Sequence, residues 1–581
     1  MEAVAAQPSL IPAPQPSQPQ IETTEQFLAA VNILTNGVAG PEQIELADQL
    51  ISEMYKSVKA WNILKEVLSQ PGNYEKNVIL TTSKLLRVKM FYYFNELPEE
   101  YYVPMFGFIL STIKVTTLKP AVAMLAESLI IIYMRIFKGQ YSDLLSILAQ
   151  AFPEDTEENR NNVLEILEVI PGLMDDEKVV IEDELRKEFI KFAIENLQTN
   201  ILKTLDIAST GAALSGRRKY QLVKCFDEWL LNETKEEVKL QLHRLNMIDL
   251  CFSELRRSDG SGDEAADALV HLMSICKDPV VYHDLYKNIL KHLMESLPHL
   301  KKLIHSLDSE RVKFYLTVYD AIILRIFDQM VAEPESEPVK LILYEVLLPI
   351  YKERSLNLVC LVTESFITFV DKLRVGSNPD DIDEDDEEFN PSKANPSNLD
   401  LEQDKVKRAK FVAAHIPLWK SLVELGCDHC DLTQEELTAL GGNNKKREDD
   451  ENNDEEDSED AYMIRAEVNR LIRKVSRLLG FMYVFGLLAE KLKLTVVEMS
   501  SRNSEDGEFP LETVAKFESQ LFCIYGILKK LPPEDINEDI QKAGTIMLEL
   551  VLHTKLNNPN VLYTSLKIIT KCSRFFGTRY S

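Results

Sequence analysis

Apolar side chains return at spacings of three and four along almost the whole chain, and this periodicity restricts the possible folds more than any other feature. In "KPAVAMLAESLIIIYMRIF" the stripe is Val122, Leu125, Leu129, Ile132 and Ile136. An α-helix turns once in about 3.6 residues, so all five fall on one side of it. Leu245, Ile248, Phe252 and Leu255 repeat the pattern, as do Leu562, Leu566 and Ile569. No segment alternates apolar and polar residues as a half-buried strand would. The sequence predicts an all-α fold.

Proline marks the helix starts, in "GPEQIELADQL", "KPAVAMLAE", "EPVKLILYE" and "NPNVLYTSL", because the first helical turn tolerates a missing N–H. The early helices pair, 24–36 with 41–55, 58–69 with 75–94 and 99–116 with 120–138. Their period is about 35 to 45 residues, that of HEAT- and ARM-like helical hairpins. Hairpins that cannot bury their own stripes stack on one another, predicting a right-handed α-α superhelix, a solenoid with a long concave face. On periodicity alone a tetratricopeptide array or a large bundle stays open. At 581 residues the chain exceeds what one core usually supports.

Charge is unevenly spread. The formal net charge is −28, and eight acidic side chains sit in 380–388 and ten in 448–460. Without those two runs about −10 remains, so the helical body is mildly acidic and the runs read as solvated loops. Such a balance excludes a phosphate-neutralising nucleic-acid binder. The expected layout is a Pro/Gln-rich tail over 1–22, repeats over 23–140 and 141–374, an acidic loop over 375–404, a helical stretch over 405–439, a second acidic loop over 440–461, and repeats over 462–581. The N-terminus lacks the basic and apolar regions of a signal peptide. The longest apolar run, "LIIIYM", is too short to span a bilayer. Eight cysteines without paired spacing point to a reducing compartment.

No nucleophile–base constellation, phosphate loop or dinucleotide fingerprint occurs, so neither an enzyme nor a cofactor is expected. "CDHC" (Cys427 to Cys430) invites a metal. A structural zinc site needs four ligands, no second pair lies nearby, and His415 is the other histidine in reach. No metal site is expected.

Four stretches, in order, resemble the importin-β (karyopherin-β) nuclear transport receptors, and within them the transportin-SR branch. They are "KSVKAWNILKEVL" followed by "LLRVKMFYYFNELP", then "EILEVIPGLMDDEKVVIEDELRKEFIKFAIENL", then "CFDEWL" with "GDEAADALVHLM", and finally "EDAYMIRAEVNRLIRKVSRLLG". In the second, a leucine-rich helix ends at a Pro-Gly break before an acidic connector and a further helix. The chain stops while repeats are still running, so the C-terminal repeats of this family are expected to be lacking.

The resemblance implies a nuclear import receptor that moves between cytoplasm and nucleus. It implies binding of Ran-GTP through the inner helices of the first repeats, of basic or arginine-serine-rich cargo on the concave face, and of Phe-Gly nucleoporins at the pore. The alternatives are a HEAT-repeat scaffold without transport activity and an exportin. Lys84, Arg87 and Lys89 lie on the second inner helix, and Lys84 and Arg87 share a face three residues apart. Glu45, Gln49 and Glu53 on the first inner helix and Glu127 on the third are polar positions that would complete a Ran surface. A solvated polar face explains each of these equally well. Trp61, Leu64 and Leu68 form one stripe and read as packing. In the acidic runs, Asp383, Glu384, Asp385, Asp386, Asp454, Glu455, Glu456 and Asp457 are candidates to attract or release guanidinium-rich cargo. A solubilising insertion is the other reading.

Overall fold

The computed structural model describes residues 21–374, 398–431 and 456–577, with breaks at 36–38, 138–143, 155, 177–178, 180, 211–213, 232, 259–260, 354, 502–508, 530, 532–535 and 554–557. Among the described residues every regular element is helical, and no helix is long and apolar enough to cross a membrane. The chain divides into two compact units, Met1–Glu254 and Leu255–Ser581. The division falls inside the stretch expected to run unbroken from 141 to 374.

The first unit holds α1 (Thr24–Thr35), α2 (Pro41–Tyr55), α3 (Ala60–Ser69), α4 (Lys76–Tyr92), α5 (Tyr102–Val115), α6 (Lys119–Ile136), α7 (Leu144–Ala151) and α8 (Glu157–Asp175). After them come α9 (Asp183–Phe192), α10 (Gln198–Ser209), α11 (Gly216–Glu228) and the short α12 (Glu236–Lys239), while α13 (Asn246–Leu255) carries the boundary. Successive second helices of the hairpins, α4, α6, α8 and α11, pack side by side in chain order, and α3 and α5 cover the other side of this layer. This is the stacking expected of HEAT- and ARM-type repeats. The Val122-to-Ile132 stripe of α6 is buried, as are Trp61, Leu64 and Leu68. The helix ends follow local chemistry. Thr156 caps α8 by accepting the Asn159 N–H, and Ser215 caps α11 by accepting that of Arg218. Pro41 and Pro120 sit in first turns.

Two expectations are corrected here. The helix that packs on α4 from the N-terminal side is α1, with α2 packed on α1. Phe27, Ala30 and Val31 give α1 the buried face, whereas α2 buries only Ala47, Ile51 and Met54. The break expected at Pro171-Gly172 is absent, and α8 runs through both residues to Asp175. A proline in a helix leaves the carbonyl four residues earlier without its N–H. That carbonyl, Leu167 O, accepts the indole N–H of Trp229 at 2.9 Å. The displaced hydrogen bond is replaced, so the helix need not end.

The second unit contains α14 (Gly262–Ile275), α15 (His283–His305), α16 (Ser309–Ala332) and α17 (Glu337–Val339), which runs on through a π-helical segment, Lys340–Leu347, into α18 (Leu348–Lys352). Then follow α19 (Leu356–Arg374), α20 (Asn398–Ala414), α21 (Ile416–His429), α22 (Glu456–Leu479), α23 (Phe481–Ser501), α24 (Leu511–Lys529), α25 (Glu538–His553) and α26 (Pro559–Gly577). One layer, α14, α16, α19, α22, α24 and α26, again packs in chain order. Gly526 allows α24 to approach α22 closely, since a Cβ there would fall 1.8 Å from Asn469 Oδ1. The acidic segments expected to extend to 404 and 461 end sooner, because α20 begins at Asn398 and α22 at Glu456.

Charged pairs link neighbouring helices of this layer. Lys474 on α22 meets Asp371 on α19 at 2.6 Å. Arg465 on α22 meets Glu518 on α24 at 2.6 Å, and Thr564 on α26 donates to the other Glu518 oxygen at 2.9 Å. That last contact overturns the stripe expected on α26. Leu562 and Leu566 are 48% and 61% exposed, while Val561, Thr564, Ile568 and Cys572 face inward.

Candidate functional site

The residues expected to face Ran lie on α2, α4 and α6 of the first unit. Lys84 is exposed on α4. Arg87, one turn on, is already engaged: its Nε pairs with Glu127 Oε2 on α6, and its guanidinium stands 4.9 Å from the Phe91 ring centre. Burial raises the Glu127 carboxyl above its usual range although Arg87 opposes the shift. Lys89 is fully buried. It donates to Ser57 O at 3.2 Å, pairs with Glu96, and lies 5.1 Å from the Trp61 ring and 4.9 Å from that of Tyr93. Burial pulls its ammonium below the usual lysine range against the pull of Glu96. Lys89 therefore holds the second hairpin together and offers nothing to a partner.

Glu45, Gln49 and Glu53 form an exposed row along α2. Because α1 packs more closely on α4 than α2 does, the structure brings Arg87 and Glu127 together and leaves the α2 row apart from this pair. Asp383, Glu384, Asp385, Asp386, Asp454 and Glu455 lie outside the described residues. Glu456 and Asp457 open α22 instead of lying in a loop.

Sequence reasoning missed the polar groups farther along the same layer. Glu165 on α8 faces Lys119 on α6 at 3.8 Å and accepts the Gln221 amide N–H from α11 at 3.1 Å. Glu168 takes Lys224 of α11 at 2.5 Å, and Lys219 reaches Glu254 of α13 at 3.3 Å. The signal was present in "NNVLEILEVIPGL", where carboxylates interrupt an apolar stripe at Glu165 and Glu168. Beside these contacts, α6, α8 and α11 enclose a cleft of 380 Å³ lined by Lys119, Asn161, Asn162, Glu165, Arg217 and Gln221, with Glu157 and Glu158 at its edge. Burial and the adjacent Glu168 raise the Glu165 carboxyl, with Lys119, Gln221 and Lys224 opposing. Asn161 Oδ1 and Gln221 Oε1 are buried and have no hydrogen-bond donor.

The "CDHC" thiols are buried. In the fold a third cysteine, Cys523, joins them. Hydrogen bonds with Cys427 and Cys430, together with burial, raise the Cys523 thiol well above its usual range. His415 is held by the Tyr344 hydroxyl at 2.8 Å and Pro334 O at 3.0 Å, and His429 Nε2 lies 2.5 Å from Tyr351 O. Among the described residues no group of three or more His, Cys, Asp or Glu side chains is placed to hold a metal ion.

No protein-family model matches the sequence, and no curated protein matches it. Among solved structures, the chain is similar to importin β crystallised in an ammonium sulfate condition, with 11% identity over 94% of this chain and 72% of that one, at a TM-score of 0.38. It is also similar to a chain from the study of a phosphorylation switch controlling the interaction between cadherin and β-catenin, with 12% identity over 94% and 91% and a TM-score of 0.34. Neither likeness singles out the transportin-SR branch or carries a partner across to this chain. The stacked hairpins make this an all-α protein of the HEAT/ARM helical-repeat kind.

Proposed function

We propose that the chain acts by binding proteins along its stacked helices, as a nuclear import receptor of the importin-β kind, in cytoplasm and nucleus, and not as an enzyme. The observation that carries the reading is the polar layer of the first unit, where α4, α6, α8 and α11 align Lys84, Arg87, Glu127, Lys119, Glu165 and Gln221 across successive repeats. A row of paired and half-paired charges on a repeat layer suits an extended protein partner. In this reading Ran-GTP engages the N-terminal hairpins with Lys84 as a contact, and basic or arginine-serine-rich cargo and Phe-Gly nucleoporins bind elsewhere on the solenoid. Ran-GTP and cargo then compete through forms of the repeat array to which each binds with different free energy.

The engagement of Arg87 by Glu127, and the distance of the α2 row from α4 in the packing order, favour a second reading: a HEAT-repeat scaffold without transport activity. An exportin differs from the import receptor only in the sign of coupling between Ran-GTP and cargo. The test is binding of the full chain to Ran loaded with GTP or GDP, with and without an arginine-serine-rich peptide. GTP-selective binding that displaces the peptide supports import, and GTP-selective binding that tightens the peptide supports export. Folded protein that ignores Ran supports the scaffold.

A further inference from the structure

We infer that the cleft between α6, α8 and α11 is a binding site for the guanidinium group of an arginine presented by a partner protein. The inference rests on the reading that this layer binds protein. Its chemistry follows from which groups converge there. Asn161 and Glu165 lie four residues apart on α8 and so share a face, and Gln221 meets them from α11. All three are more than nine-tenths buried, at 7%, 4% and 1% exposure, and all three line the cleft. Their contribution is acceptors: the Glu165 carboxylate, Asn161 Oδ1 and Gln221 Oε1, the last two without a donor.

A buried acceptor without a donor is unfavourable, and buried polar groups in folded proteins are nearly always paired. Two cations line the cleft, Lys119 and the exposed Arg217, and Lys119 does not complete the set. Lys119 Nζ is 3.8 Å from Glu165, beyond hydrogen-bond distance, and stands 5.2 Å from the Tyr220 ring. Burial and Glu168 raise the Glu165 carboxyl while Lys119, Gln221 and Lys224 oppose the rise, so burial outweighs the partners already present. Glu157 and Glu158 at the edge add acidity and disfavour an anion. A guanidinium offers five N–H donors in one plane with a permanent charge. It can donate to the carboxylate and both amide oxygens together, which an ammonium with its compact charge does less well.

The experiment measures, by fluorescence anisotropy, binding of the full chain to a labelled peptide with arginines spaced by glycine, beside its lysine and citrulline counterparts. The arginine peptide is expected to bind most tightly and the neutral citrulline peptide least. Asn161→Ala and Glu165→Gln should each weaken the arginine peptide about tenfold. Lys119→Gln, which removes the cation facing Glu165, should tighten it severalfold. Misfolding does not produce opposite responses from neighbouring positions, and melting curves of the three variants check this directly. Equal binding of the lysine peptide, or unchanged affinity in Asn161→Ala and Glu165→Gln, overturns the site and assigns any binding to the acidic runs. Peptide binding that follows this pattern in a chain that ignores Ran-GTP keeps the site and removes the import reading. Ran-GTP binding beside an indifferent cleft does the reverse.

Discussion

Trp229 donates its indole N–H to Leu167 O at 2.9 Å, the carbonyl that Pro171 leaves without a helical donor four residues later. Trp229 is in turn held at its own carbonyl, which accepts the Gln198 amide at 2.9 Å while the same amide donates to Thr234 at 2.7 Å. Two sequence stretches that look independent, "EVIPGLM" and "CFDEWL", are therefore parts of one hydrogen-bonded joint between α8 and the end of α11.

That joint makes a prediction with an internal control. Trp229→Phe keeps an aromatic ring but removes the donor, and should cost about 1–3 kcal/mol for the stranded carbonyl together with lost packing. Pro171→Ala restores the missing N–H, so it should recover part of that loss in the Trp229→Phe background while changing little in the native one. Urea unfolding of the four variants gives the coupling. A Trp229→Phe cost that is the same with and without Pro171 would mean the bond is incidental.

Lys84 and Arg87 can be separated by the same kind of measurement. Lys84 is exposed and its loss to alanine should move stability by no more than about 0.5 kcal/mol. Arg87→Ala strands the largely buried Glu127 carboxylate and should cost about 1–3 kcal/mol, with Glu127→Gln recovering part. Thermal melts of these variants must precede any binding assay. If Lys84→Ala weakens a partner at unchanged melting temperature, Lys84 is a contact. A similar result for Arg87 would contradict its role as a helix-to-helix tie.

The helical hairpins were legible because their signal is local. The stripe from Val122 to Ile132 is set by 3.6-residue periodicity and is buried as expected. Pro171 misled because its effect depends on a donor from Trp229, 62 positions from Leu167. Likewise Glu165 looks like a solvent-facing break in an apolar stripe until Gln221, 56 positions on, closes over it. On α26 the error runs the other way. Leu562 and Leu566 form a good stripe, but Thr564 faces inward because Glu518 on α24 needs a donor. Local pattern places helices and also predicts the buried face of α6, whereas on α8 and α26 polar partners far along the chain hold polar side chains inward. The candidate site is made of those partners, and so it was the less legible part.

The Arg465–Glu518 pair tests how costly such a tie is to break. Both side chains are below a tenth exposed, and Thr564 occupies the second carboxylate oxygen. Arg465→Met leaves a buried carboxylate and should cost about 3–5 kcal/mol, whereas Arg465→Met with Glu518→Leu should recover most of the loss. Melting temperatures of the single and double variants decide it. A double variant as unstable as the single one would mean that the pair's charges are not the source of the cost.

Asp320 on α16 gives a dependence on pH with an unusual sign. Burial pushes its carboxyl up from 3.8 to about 6, with Glu364 adding to the rise and the Ser365 hydroxyl, 3.0 Å from Oδ2, opposing it. Between these values the folded chain holds a proton that the unfolded chain has lost, so this group's contribution falls as pH rises through about 6. Above that, folding keeps a carboxylate where an uncharged group would be better accommodated. Asp320→Asn preserves the shape and a partner for Ser365 without the charge. It should stabilise the protein by about 1–2 kcal/mol at pH 8, and the gain should vanish at about pH 3, below both values, where aspartate is largely protonated in both states. Urea midpoints at the two pH values measure this. A gain of equal size at both would place its origin in packing, and a loss at pH 8 would mean that the ionised carboxylate is stabilised where it lies.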